Sequence, residues 1–347
     1  MTRYFRTGLG GMLAILLLLG IGCSPSKPTG EKQNVDHGKS RLRIAAIPKS
    51  NGGEFWETVE RGAKEAAQAL DVDLHWEGPL TEQEIAEQNK IIDNMINLGV
   101  DGIALAPLNP HAMRKSVAEA VDAGIPVVIF DSAVDGDAQI SFVATNNEAG
   151  GALGGQYLVD KLGAEKNRVL LLRYIQGTAS TDARAKGFLT TVKEGGLKVV
   201  GDPYPEDSSV AGCKKTAANV LEGLVQENRL QLDGLFACCL PVALGGLAAL
   251  EDLRKSGVEV NVVFVGFDTS QKLLQALQAG RIDALVSQDP HHMGYLAVET
   301  LVKHLRGKPI EPLIDTGVEL VTRERLETEP RIRQLVGWRE SPQSTSP

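Results

Sequence analysis

Short apolar runs of roughly four to six residues alternate with amphipathic stretches of roughly 14 to 18, which predicts strands and helices taking turns. RLRIAAIP (41–48) is the first strand, broken by KSNGG. In the helix that follows, EFWETVERGAKEAAQAL, Phe55, Val59, Ala63, Ala66 and Ala67 fall mostly on one side, with charge on the other. DVDLHWE (71–77) alternates as a second strand, and 81–98 has helical spacing opened by a capping-box-like TEQE. GIALA (102–106) is a third strand. Asn109 then caps a helix with Pro110 at its first position, running to about Asp122. VVIF ends on Asp131; after a polar turn, ISFVA ends on Thr145, Asn146 and Asn147.

From there the same grammar restarts. Helices are expected over 150–162, 181–193, 212–227, 241–255, 270–280 and 289–307. Strands are expected over 168–173, 198–204, 232–237, 260–267 and 282–287, with a last strand inside PLIDTGVELVT (312–322). About ten strands and nine helices exceed one doubly wound domain. A (β/α)₈ barrel needs eight units closing on one axis, whereas this chain has about four, a turn and a fresh series. Two α/β domains with parallel sheets covered on both faces are therefore expected.

Composition agrees with two cores: 347 residues, 43% of them apolar. A formal charge of -8 with no basic block after the N-terminal segment argues against a nucleic-acid partner. At the N-terminus, Arg3 and Arg6 precede MLAILLLL and then GIGC, ending at Cys23. A charged region, a short apolar run and small residues before a cleavage point read as a signal peptide; the run is too short to span a bilayer comfortably. A polar tether (24–40) follows. Cys213, Cys238 and Cys239 form no disulfide framework, since adjacent cysteines are poor partners, and no histidine gives them metal-site spacing.

Ligands of open parallel sheets lie beyond the carboxyl ends of the strands. The exits present Phe55 and Trp56, then Asp131, then Thr145 to Asn147, with Arg184 early in a helix and Asp268 and Gln288 after the last strands. Two carboxylates, an arginine, amides and aromatic faces suit a polyhydroxylated ligand, because carboxylates and amides exchange paired hydrogen bonds with vicinal hydroxyls. No G-x-G-x-x-G follows the first strand, and no Walker A, G-x-S-x-G or H-E-x-x-H is present. His291 and His292, being adjacent on a helix, do not share a face. Asp131 and Asp268 could form a glycosidase pair, but no apolar shield or lid is legible, and hydroxyl binding explains them more economically. No catalytic residue, metal or cofactor is assigned.

The segments EFWETVERGAKEAA, PVVIFDS, VATNNEAGG, GTASTDARAKGF, FVGFD and LVSQDP resemble the sugar-binding (ribose-like) members of the type I periplasmic binding fold, the substrate-binding proteins of bacterial ABC transporters. The resemblance covers nearly all of 42–321. It implies an α/β protein of two doubly wound parallel-sheet domains, joined by three crossovers with the ligand cleft between them. The lobes are then 41–144 with 289–308, and 145–288 with 309–325, followed by an extension (326–347). The crossings fall near Thr145, near Gln288 and around 309–312. Phe55 and Trp56 match the aromatic positions that sandwich the sugar, Asp131 the carboxylate on ring hydroxyls, and Arg184 the second-domain arginine. Asp268 and Gln288 match further polar contacts, and Thr145, Asn147 and Cys239 complete the expected ligand set. Four departures reduce polarity: Ser132 stands where ribose binders carry Arg, Ala106 and Gly53 where they carry Asn, and Cys239-Leu240 replace Asn-Asp. They imply a ligand larger or less polar than ribose, or one bound through water.

The resemblance further implies a monomer, a sugar or polyol as ligand and an ABC permease or membrane sensor kinase as partner. It also implies lipidation of Cys23 and an extracytoplasmic, membrane-anchored location, although Gly20 stands where such signals usually carry Leu. A transcriptional regulator sharing this core would need a helix-turn-helix where the export signal lies.

Overall fold

The computed structural model describes residues 41–163 and 166–338; the signal, the tether and the tail from 341 lie outside them. In chain order the elements begin with β1 (Arg43–Ile47), α1 (Glu54–Ala69), β2 (Asp73–Trp76), α2 (Ile85–Leu98), β3 (Gly102–Leu105), α3 (Pro110–Asp122), β4 (Val127–Phe130) and β5 (Ser141–Ala144). They continue with α4 (Asn147–Leu162), β6 (Arg168–Leu172), α5 (Ala179–Glu194), β7 (Lys198–Gly201), α6 (Val210–Glu222), β8 (Val225–Gln226), β9 (Arg229–Leu230), β10 (Gly234–Ala237) and α7 (Leu240–Lys255). The last are β11 (Val263–Phe267), α8 (Gln271–Gln278), β12 (Ala284–Ser287), α9 (Pro290–Leu305), β13 (Leu313–Asp315), β14 (Glu319–Thr322), α10 (Arg323–Thr328) and α11 (Pro330–Leu335).

Two six-stranded sheets result, ordered β13-β5-β4-β3-β1-β2 and β14-β12-β11-β10-β6-β7. All pairings within them are parallel except β14, which runs antiparallel to β12. The period-two alternation of a strand divides β1 between two layers. Ile44 and Ala46 pack with Val59, Ala63 and Met293 of α1 and α9, while Ala45 and Ile47 face Ile91, Met95 and Met113 of α2 and α3. Burial on both faces explains the nearly unbroken apolar runs. The second sheet is centred on Phe236, whose ring stacks on Phe188 of α5 at 4.5 Å.

The chain passes between the sheets three times: between β5 and α4, between β12 and α9, and between β13 and β14. The third crossing departs from expectation. The run 312–322 holds two strands, and β13 pairs with β5, so the passage lies at 316–318 rather than around 309–312. Residues 309–315 thereby belong with the first sheet. Gly317, at φ +78°, supplies the conformation that an L side chain resists.

Two local readings also change. The helix expected to reach 227 stops at Glu222, because Glu227 and Asn228, both at positive φ, make a two-residue hairpin turn between β8 and β9. The TEQE box does not cap through Thr81. Glu84 instead turns its carboxylate back onto the N–H groups of Leu80 (2.8 Å) and Thr81 (3.1 Å), and α2 starts at Ile85.

Candidate functional site

Strands β4 and β11 end in the same way. Asp131 and Asp268 each follow the last strand residue, and each extends the ladder by donating its N–H to the neighbouring strand: Asp131 to Val143 O (3.0 Å), Asp268 to Val286 O (2.8 Å). Both then turn left-handed, at φ +60° and +69°. A non-glycine residue in that region carries local strain, which is concentrated at functional sites. Each lobe so presents one buried carboxylate, 4% and 6% exposed, at the carboxyl end of its sheet.

Between them lies a cavity of about 340 Å³, at the small end of the range for ligand pockets. Seven of the nine expected ligand residues line it: Phe55, Trp56, Asp131, Arg184, Cys239, Asp268 and Gln288. Phe55 and Trp56 meet edge to face at 5.0 Å, with Trp56 buried on the first core and Phe55 half-buried between the cores of both lobes.

The other two lie outside the cavity lining. Thr145 sits at the first crossing, its hydroxyl 3.0 Å from Thr316 Oγ1 and 3.3 Å from Gly317 O, so it ties one interlobe strand to another. Asn147 is the first residue of α4; its Oδ1 accepts from Arg184 Nε at 2.8 Å and positions that guanidinium.

Arg184 is 2% exposed. It donates through Nη1 to Cys238 O (3.0 Å), stacks on the Phe267 ring at 3.8 Å, and lies 3.7 Å from Asp268 Oδ2. Asp268 also accepts from Gln288 Nε2 (2.7 Å) and from the Leu240 N–H at the start of α7 (3.0 Å). Desolvation nevertheless raises its carboxyl above the ordinary value, against the pull of Arg184 and these two donors.

Several lining residues escaped the sequence reading: Lys49, Glu82, Tyr174 and Ser180. Lys49 leaves β1 as Asp131 leaves β4, so the strand-exit rule could have found it. Its ammonium lies 2.6 Å from Asp131 Oδ2 and donates to Ser132 Oγ (2.7 Å) and Ser180 Oγ (3.1 Å). The cation absent at Ser132 is thus supplied from another strand. Glu82 bears no local signal. It sits half-buried in the β2–α2 loop, accepts from Trp56 Nε1 at 2.8 Å, and burial holds its carboxyl above the usual range although Lys49 and Trp56 draw it down. Tyr174 donates its hydroxyl to Ser208 O (3.2 Å), and burial raises its phenol. Burial pushes the Cys213 thiol up to about 12 and that of Cys239, which lines the cavity, well above the ordinary value.

The lobes touch across the cavity. Ser180 of the second lobe meets Lys49 and Ser132 of the first, Asn109 Nδ2 donates to Gly177 O (3.3 Å), Ser208 N to Gln83 Oε1 (3.4 Å) and Gln271 N to Glu54 Oε1 (3.2 Å). This is a closed arrangement. Ser180→Ala removes bonds made only when the lobes meet, so ligand affinity is expected to fall about fivefold, roughly 1 kcal/mol. Calorimetry checks the affinity, and the melting temperature of the unliganded protein should not move.

Two α/β lobes on three interlobe strands, with polar strand ends enclosing a small shared cavity, define a hinged solute-binding protein. The chain belongs to the periplasmic binding protein domain family, whose model matches residues 44–309. It is a binding protein and not an enzyme. It is 28% identical over 292 residues to the D-ribose/D-allose-binding protein of Pseudomonas aeruginosa, covering 81% of this chain and 88% of that one. Among solved structures, a carbohydrate transporter solute binding protein from Agrobacterium radiobacter, in complex with D-arabinose, superposes with TM-score 0.79 at 29% identity, covering 86% of this chain and 99% of that one. An ABC transporter solute binding protein from Agrobacterium vitis with bound D-fucose gives 0.78 at 32%, covering 85% and 99%.

Proposed function

We propose that this protein captures a sugar or sugar-like polyol between its lobes, closes on it and delivers it to an ABC permease. The observation that carries this reading is the cavity itself: two strained carboxylates, one from each sheet, face a space of about 340 Å³ walled by Phe55, Trp56 and Leu240. Carboxylates take hydroxyl protons, and aromatic faces cover the C–H side of a sugar ring. Closure follows because the ligand bonds to both lobes only when they meet, so binding selects the closed state. The relatives' D-ribose, D-allose, D-arabinose and D-fucose are all sugars. The four departures from the ribose pattern favour a ligand larger or less polar than ribose, or one bound through water.

The run MLAILLLLGIGC supports export and attachment through lipid on Cys23, with 24–40 as a tether, and the chain acts as a monomer.

The test is a thermal-shift screen of the mature chain against pentoses, hexoses and polyols. A ligand that binds only the folded form raises the melting temperature by mass action, by an amount set by concentration over Kd. Asp268→Ala should erase the shift found for the wild type while the unliganded variant still melts cooperatively. No shift with any sugar or polyol, or an undiminished shift in that variant, would contradict the reading.

A further inference from the structure

The cavity's charges do not balance. Four acidic side chains line it, Glu82, Asp131 and Asp268 with the more exposed Glu54 at its edge, against two basic ones, Lys49 and Arg184. Both cations are already engaged. Lys49 pairs with Asp131 and donates to Ser132 and Ser180, while Arg184 donates to Asn147 and Cys238 O and lies 3.7 Å from Asp268. Among the described residues Glu82 has only the Trp56 N–H on one oxygen and no ion pair.

A second, independent observation concerns acceptors. Gln288 is 3% exposed and lines the cavity, yet its Oε1 has no donor, because the amide spends its NH₂ on Asp268. Asp131 Oδ2 has its ion-pair partner but no hydrogen bond of good geometry. Buried polar atoms left unpaired are costly, and here the unpaired ones are acceptors. The unpaired Gln288 acceptor calls for a ligand that donates, and Glu82, facing the cavity with no ion pair, calls for one that is positive.

Resting on the sugar-binding reading above, we propose that the ligand is an aminated sugar or aminated polyol whose ammonium sits against Glu82, its hydroxyls donating to Asp131 and Gln288. An ammonium brings three donors and one positive charge, which completes the ion pairing of the closed cavity. Sugar acids and sugar phosphates are disfavoured, because Lys49 and Arg184 each already face a carboxylate.

The experiment compares matched pairs by calorimetry at pH 7: D-glucosamine with D-glucose, D-galactosamine with D-galactose, and an aminated hexitol with its parent. In the wild type at least one amine should bind about tenfold or more tighter than its hydroxyl twin. Glu82→Gln, which keeps shape and the Trp56 bond, should level that pair; its unliganded melting curve and residual binding of the hydroxyl twin report folding. If hydroxyl sugars bind and their amines bind no tighter, or if the preference survives in Glu82→Gln, the inference fails and the sugar-binding reading stands. If no member of any pair binds, and the wider screen also finds nothing, both fall together.

Discussion

Arg184→Met is expected to cost about 3–5 kcal/mol of stability, the usual penalty for removing one partner of a buried ion pair. For lobes of this size that is a drop of about 10 °C in melting temperature. Methionine fills similar space on the Phe267 ring, so the loss is electrostatic: Asn147 Oδ1 and Cys238 O lose a donor, and Asp268 its cation. Ligand binding should vanish with it. The deficit has a direction with pH. Desolvation already raises the Asp268 carboxyl above its unfolded value, and losing Arg184, which lowers it, raises it further. A carboxyl whose folded pKa is raised costs stability above that pKa, and the cost disappears as pH falls through it toward the unfolded value. The variant should therefore lie further below wild type at pH 8 than at pH 5. A deficit that is flat with pH would mean that packing, not charge, is what arginine contributes.

Gly151→Val should be comparably damaging, though no charge is involved. α4 and α5 cross so closely that a Cβ at Gly151 would run into the carbonyl of Arg184, and one at Gly187 into that of Glu148. The obstacle is backbone on each side, so no rotamer can relieve it and the helices must part. Overpacking costs about 1–3 kcal/mol where side chains can yield, and this contact should reach or pass the upper figure. Because Arg184 rides on α5, moving that helix also withdraws the guanidinium from Asp268, so binding and folding fail together. Gly223→Ala is the contrast. Gly223 ends α6 in right-handed helical geometry, with nothing nearer than 3.5 Å to a Cβ, so alanine there should be neutral or slightly stabilising. Chemical denaturation of the three proteins side by side decides the matter.

These variants separate what can be read along the chain from what cannot. VVIF before Asp131 and VFVGF before Asp268 announced buried parallel strands with polar exits, because burial on both faces leaves no alternation and the exit rule follows from strand direction. Seven of the nine expected residues line the cavity, six of them read at strand exits and Cys239 from the family resemblance. Thr145 and Asn147 do not, since nothing local distinguishes a strand exit that meets ligand from one that carries the chain to the other lobe.

Hydrophobic order along the chain by itself determined two α/β series and their strand ends, since those features depend on neighbours a few residues apart, and short motifs such as VATNNEAGG carried the family resemblance. Which lobe takes 309–315, how Lys49 comes to hold Asp131, and why Glu82 stands beside Trp56 were decided only in three dimensions. Such facts are set by contacts between segments 26 to 170 residues apart, and charge is balanced by distance in space, not by order in the chain.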